Sequence, residues 1–130
     1  MREAIPAPRE GPRHGQGMVP GVKANGMIYF SAIRGTTPGE DRELTAEEES
    51  RQALENVRLL IEAAGGTLDN IVHVTLYLGD LNDRQAFHKV WMEKFPTNPP
   101  ARIAVGVANA SANPSGHARY ALTVIATAPS

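Results

Sequence analysis

Two hydrophobic periodicities alternate along the chain, one of about two residues and one of about 3.6. Val19 to Ala24 reads as a short extended segment, Asn25-Gly26 as a two-residue turn at positive φ, and Met27 to Ile33 as the returning strand. Ile28, Phe30 and Ala32 share one side of that strand; Tyr29, Ser31 and Ile33 share the other. After a loop from Arg34 to Glu43, Thr45 and Glu48 form a capping box. Ala53, Val57, Leu60, Ile61 and Ala64 then recur at helical spacing until Gly65-Gly66. The run Glu47, Glu48, Glu49 reads as a solvated first turn matched to the helix dipole. From Ile71 to Leu78 the alternation returns, with Val72, Val74, Leu76 and Leu78 facing one way and Ile71, His73, Thr75 and Tyr77 the other. Asn82 or Asp83 caps a second helix ending at Phe95, whose stripe is Ala86, Phe87, Val90, Trp91 and Phe95. Pro99-Pro100 forces extended backbone, so Ile103, Val105 and Val107 oppose Arg102, Ala104 and Gly106. A last strand from His117 to Thr127 sets Tyr120, Leu122, Val124 and Ala126 against Arg119, Ala121, Thr123 and Ile125.

The order β-β-α-β-α-β-β predicts an α+β domain with one mixed sheet and both helices on one face, because right-handed crossovers return each helix to the same side. The helix stripes are expected to meet Ile28/Phe30, Val72/Val74/Leu76, Ile103/Val105/Val107 and Leu122/Val124. The opposite face then gathers Tyr29, Ser31, Ile33, His73, Thr75, Tyr77, Arg102, Ala104, Gly106, Ala121, Thr123 and Ile125. Too weakly charged for an ordinary solvent face and too polar for a second helix layer, it predicts a closed homo-oligomer with ligand clefts where subunits meet.

At 130 residues without a repeat the chain reads as a single domain over 18–128, preceded by a loose, Pro/Gly-rich arm over 1–17. A net charge of −1 with scattered Lys and Arg argues against a dedicated nucleic-acid binder. The absence of cysteine excludes disulfides, thiolate nucleophiles and Cys-based metal sites. No signal-peptide or membrane-length apolar run occurs, so the cytoplasm is the expected compartment and no membrane partner is implied. No histidines and carboxylates fall at metal-ligand spacing, so no metal is expected. His14 reads as solvated, His73 as an interface residue and His117 as a strand start.

The candidate chemistry centres on Arg102, held on stiff backbone among small residues. Its guanidinium fork suits a carboxylate or phosphate, the alternative being an ion pair that secures an interface.

Several blocks in order resemble the YjgF/RidA family: Ala24-Asn25-Gly26-Met27-Ile28-Tyr29-Phe30-Ser31, Gln52-Ala53-Leu54-Glu55-Asn56-Val57, Ala63 to Val72, Tyr77-Leu78-Gly79-Asp80-Leu81-Asn82-Asp83 and Pro99-Pro100-Ala101-Arg102. The resemblance runs from about Met18 to Thr127. It implies a chorismate-mutase-like fold, a homotrimer built around a central barrel, three intersubunit clefts, and cofactor-independent hydrolysis of reactive enamines and imines to 2-oxo acids and ammonia. It makes Arg102 the binder of the substrate carboxylate and assigns ligand contacts to the Ser31 hydroxyl and the Ala32 amide.

Other positions depart from the family's pattern. Ala32-Ile33 stands for its usual Gly-Gln, Met18 for a tyrosine, His88 for an asparagine, Ala104 for a frequent cysteine, and Thr123 for the glutamate thought to position or activate water. A threonine orients water but is a poor base. Proton exchange would then fall to His88, if it faces the cleft, or to Glu40, Asp41 or Glu43 on the loop after the Ser31 strand. The alternatives to an imine deaminase are a non-catalytic, trimeric small-carboxylate binder and a deaminase of 2-aminomuconate type in a cleft made roomier by Met18, Ile33 and Ala104. The RNA-cleaving activity attached to some relatives finds no basic stripe or aromatic row to support it.

Overall fold

Asn25 and Gly26, at φ 53° and 75°, close the hairpin between β2 (Gly21–Ala24) and β3 (Met27–Ile33). The structure is a computed structural model that describes residues 2–8, 16–36, 43–111 and 118–129. The remaining elements are β1 (Glu3–Ile5), α1 (Ala46–Ala63), β4 (Ile71–Leu78), α2 (Arg84–Lys94), β5 (Ala101–Gly106) and β6 (Tyr120–Thr127). The order read from the sequence is therefore present, with β1 added at its start. Part of the arm over 1–17 is not loose: Glu3–Ile5 pairs antiparallel with β2, and Ile5 is buried in the core.

Among the described residues the strands form one six-stranded mixed sheet, β1-β2-β3-β6-β4-β5. Its one parallel pair is β4 with β5. Thr45 caps α1 through the Glu48 amide at 3.1 Å while Glu48 accepts from the Thr45 amide at 2.9 Å. At the other end Gly65 takes φ +90°, and the amides of Gly65 and Gly66 donate to the carbonyls of Glu62 and Ile61, closing the helix with a left-handed cap. For α2, Asp83 occupies the capping position without a side-chain cap, because its carboxylate turns to Arg119; Asp80 instead caps the single turn before it.

The core lies between the helices and one sheet face. Ala53, Val57, Leu60 and Ile61 of α1 and Phe87, Val90 and Trp91 of α2 meet Ile28, Phe30, Val74, Leu76, Leu122 and Val124. Three expectations about side-chain direction fail. An irregularity between Phe30 and Ile33 in the β3–β6 pairing turns Ile33 into the core. A second, between Ile71 and His73 in the β4–β6 pairing, buries Ile71 to 5% exposure and leaves Val72 at 42%.

The third failure is the whole of β5. The parallel register sets Arg102 beside Val74, Ala104 beside Leu76 and Gly106 beside Leu78, so the small-residue side faces the helix layer. Ile103, 53% exposed, and Val105 point to the uncovered face. The packing there is close: a Cβ on Gly106 would stand 3.2 Å from the end of the Leu81 side chain. Small residues mark a close approach of the helix layer at this position, not an open surface.

The Glu47–Glu49 run also divides. Glu49 is buried rather than solvated, whereas Glu47 joins exposed ion pairs with Arg51 one turn on in α1 and with Lys89, which ties α1 to α2. The start of β6 is Tyr120, and His117 lies outside the described residues.

These side-chain directions make a stability prediction. Ile71→Ala should cost about 2–5 kcal/mol in chemical denaturation, the usual range for emptying a core site. Val72→Ala should stay within about 0.5 kcal/mol, as exposed positions do. The reverse order would restore the uninterrupted alternation of β4.

Candidate functional site

Arg102 stands on the outer strand of the sheet, and its side chain runs beneath α2. Its guanidinium carbon lies 4.7 Å from the centre of the Trp91 ring, within range of a cation–π contact. Trp91 is itself fixed between Phe87 and Phe95, at ring-centre distances of 6.2 and 4.5 Å. Arg102 Nη2 donates to His88 Nδ1 at 3.1 Å. Because an arginine N–H only donates, the imidazole accepts at Nδ1 and carries its proton on Nε2. Arg84, His88 and Trp91 are spaced i, i+4, i+7, which puts them on one face of α2 above the strand.

The remaining capacity of the guanidinium is unfilled. Arg102 Nη1 is buried and has no hydrogen-bond partner, and no carboxylate pairs with the group among the described residues. Partial burial, and secondarily the positive Arg84, lowers the proton affinity of Arg102 from the ordinary arginine value. A desolvated donor without an acceptor costs about 1–3 kcal/mol. An anionic acceptor would recover that cost. Arg84, Gln85, His88, Arg102, Ile103 and Ala104 line a cleft of about 510 Å³ that leads to the site.

The other residues singled out by sequence are elsewhere in the protomer. Ser31 is exposed on β3, three strands from β5, or about 14 Å at the usual strand spacing. Its amide donates to the Pro20 carbonyl at 3.2 Å. Ala32 follows it, and Met18 is exposed just before β2. Thr123 lies beside Thr75 on the uncovered sheet face, with the sheet between it and Arg102. His73 is half-buried on that same face. Glu43 is exposed before α1; Glu40, Asp41 and His14 lie outside the described residues. Within one chain, then, Arg102 and His88 come together, and Ser31, Ala32, Met18 and Thr123 do not join them.

The family model described as endoribonuclease L-PSP matches residues 11–116. The chain belongs to the YjgF/RidA family. A RutC family protein of Pyrococcus horikoshii is 35% identical over 88 residues, which make up 66% of this chain and 70% of that protein. The crystal structure of yeast Mmf1 matches with a TM-score of 0.89 at 27% identity, covering 99% of this chain and 100% of that one. The Escherichia coli YjgF structure matches with a TM-score of 0.81 at 27% identity, over 96% and 98% of the two chains.

This YjgF/RidA-family chain has two groups of functional interest that its sequence reading left out. Trp91 reads as core because it fills a core stripe, and nothing in the sequence pattern singles out Arg84. Their spacing with His88 is the signal that would have joined them to Arg102. A second cluster, at the far end of β4, is internally satisfied. Glu49 accepts the Arg119 amide at 2.7 Å, Arg119 donates to Asp83 at 3.3 Å and to the Leu44 carbonyl at 3.2 Å, and the Tyr120 hydroxyl meets Ser50 at 3.0 Å. Burial pushes the Tyr120 phenol up to about 12. It also raises Glu49, against the pull of the Arg119 and Tyr120 amides. This cluster fastens α1 to β6. Among the described residues no three His, Cys, Asp or Glu side chains are grouped to hold a metal ion, and no helix is long and apolar enough to cross a membrane.

Two measurements follow from this geometry. Trp91 is the chain's single tryptophan, so Arg102→Ala should shift its emission to the red as the ring loses its cover; an unchanged spectrum would place the guanidinium off the ring. For Glu49, a raised folded-state pKa means stability that is present below the unfolded value and lost as pH rises through the folded one. The unfolding free energy of wild type relative to Glu49→Gln should therefore fall as pH climbs from about 4.3, the ordinary glutamate value. A difference that grew with pH would mean that hydrogen bonding outweighs burial at Glu49.

Proposed function

We propose that the chain hydrolyses reactive 2-imino acids to 2-oxo acids and ammonia in the cytoplasm, holding the substrate carboxylate on Arg102. The observation that carries this reading is the guanidinium itself: fixed over Trp91, held by His88, paired with no acid among the described residues, and left with a buried donor unfilled. Such a group binds a planar anion without first breaking an ion pair. In the reaction water adds to the imine carbon and one of its protons passes to nitrogen; the resulting hydroxyl then gives its proton to the same nitrogen as the carbon–nitrogen bond breaks, so that ammonia leaves and the carbonyl forms. Since these imines already hydrolyse readily, orientation of water and substrate supplies acceleration without a strong base. His88 stands 3.1 Å from the guanidinium and is exposed toward the cleft, where its imidazole can exchange protons with the carbinolamine.

The reading includes a second copy of the chain. Ser31, the Ala32 amide, Met18 and Thr123 reach a ligand on Arg102 only from a neighbouring subunit, as in the homotrimer that the family resemblance implies. There Thr123 orients the attacking water through its hydroxyl.

The test is to generate an imino acid in situ from an amino acid with an amino-acid oxidase and to follow 2-oxo acid release against the uncatalysed rate. Acceleration is expected in wild type, with a loss of about 100-fold or more in Arg102→Ala, the scale on which a lost charged orienting contact acts. No acceleration, or equal acceleration by the variant, overturns the activity. Saturable 2-oxo acid binding that depends on Arg102, with no acceleration, would identify a carboxylate-binding trimer instead, a reading favoured by Thr123 lacking a base.

A further inference from the structure

The cleft above Arg102 holds two positive charges, and one carboxylate accounts for one of them. Arg84 and Arg102 both line it, with Gln85, His88, Ile103 and Ala104, and no acid is among these residues. On the helices and at the start of β6, arginines do find counterions: Arg51 pairs with Glu47 and Glu93, Arg58 with Glu55 and Glu62, and Arg119 with Asp83 and Glu49. Among the described residues Arg84 has none. The two guanidinium groups feel each other, since Arg84 adds to the lowering of proton affinity at Arg102.

The placement of Arg84 is unfavourable for the fold alone. It is the first residue of α2, at the positive end of the helix dipole, where an acid would be stabilising and a cation is not. The first turn contains no acid, and the residue at the capping position, Asp83, sends its carboxylate away to Arg119. Two positive side chains and a positive helix end thus share one cleft, and no anion stands among its described lining residues. Arg84 lies one turn before His88, a backbone rise of about 6 Å along the helix, and both line the cleft with Arg102. A short dicarboxylate spans such a gap.

We propose that the substrate is a dicarboxylic 2-imino acid, with Arg102 holding the carboxylate beside the imine carbon and Arg84 holding the distal carboxylate. The inference rests on the function proposed above and adds to it a specificity-determining residue. Monocarboxylic imines occupy the Arg102 end alone and leave Arg84 to water.

Binding of product analogues to the full-length protein, followed by isothermal titration calorimetry, tests it. 2-Oxoglutarate and 2-oxopentanoate have the same carbon count and the same 2-oxo acid head and differ in the distal carboxylate. Wild type should bind 2-oxoglutarate about tenfold more tightly, the lower end for a charge-assisted hydrogen bond because Arg84 is exposed. In Arg84→Gln the ratio of the two affinities should fall close to one, and Arg84→Lys should restore most of it. Arg102→Gln should weaken both ligands. Equal affinities in wild type, or a preference that survives Arg84→Gln, overturn the dicarboxylate assignment while leaving the Arg102 site standing. If neither ligand binds wild type, or Arg102→Gln changes neither, the assignment falls together with the proposed function.

Discussion

The parallel pairing of β5 with β4 is the constraint on which the site depends. In a parallel ladder, laterally paired residues share a face, so the register that sets Ala104 beside Leu76 and Gly106 beside Leu78 also sets Arg102 beside Val74, on the helix side of the sheet. A shift of one residue would send Arg102 to the uncovered face and force Ile103 and Val105 beneath α2. In the observed register the Leu81 side chain packs close against Gly106. The register along β5 thus fixes the direction of the charge at its start.

A charge under a helix needs compensation, and α2 supplies it without an acid. The Trp91 ring offers its electron-rich face, and His88 offers a neutral acceptor. Neither partner neutralises the guanidinium. A carboxylate in place of His88 would give a stronger bond and a closed ion pair, and a ligand would then have to displace it. The aromatic and imidazole partners orient the group and leave its charge available, while among the described residues the ion pairs lie on the outer helix surface or in the Glu49–Arg119–Asp83 cluster.

Much of the fold was legible because local chemistry dictated it. The Asn25-Gly26 turn, the Thr45/Glu48 box and the Gly65-Gly66 terminus each depend on residues within a few positions of one another, and each is present. What could not be read depends on distant partners. Alternation in β4 and β3 carries no sign of the irregularities that exchange Ile71 for Val72 and bring Ile33 inward, because these arise in pairing with β6. The burial of Glu49 depends on Arg119, seventy positions away. Arg102 and His88 were both singled out, yet Arg102 was placed on the wrong face. Small neighbours mean either open surface or close approach, and sequence alone does not separate the two. Trp91 was hidden for a related reason: the same buried ring that belongs to the core also lies against the guanidinium.

The distribution of the remaining residues bears on assembly in the proposed function. Arg102 stands on the edge strand β5, whereas Ser31, Ala32 and Met18 stand on β3 and before β2, toward the opposite edge. An isologous two-fold contact would join like edges and set Arg102 against Arg102, two desolvated cations with no anion between them. In the proposed assembly a heterologous contact would join unlike parts, so that each Arg102 would meet the Ser31 region of the next chain, the same contact repeating until rotation closed the ring. The exposed Tyr29 and Ile103, on the uncovered face at either side of the sheet, favour such closure, since an open chain of copies would leave them wet at both ends. A ring assembled this way carries one complete cleft per subunit. Dissociation would therefore remove Ser31 and Thr123 from every Arg102 at once, and activity should track the assembled fraction on dilution rather than the total protein.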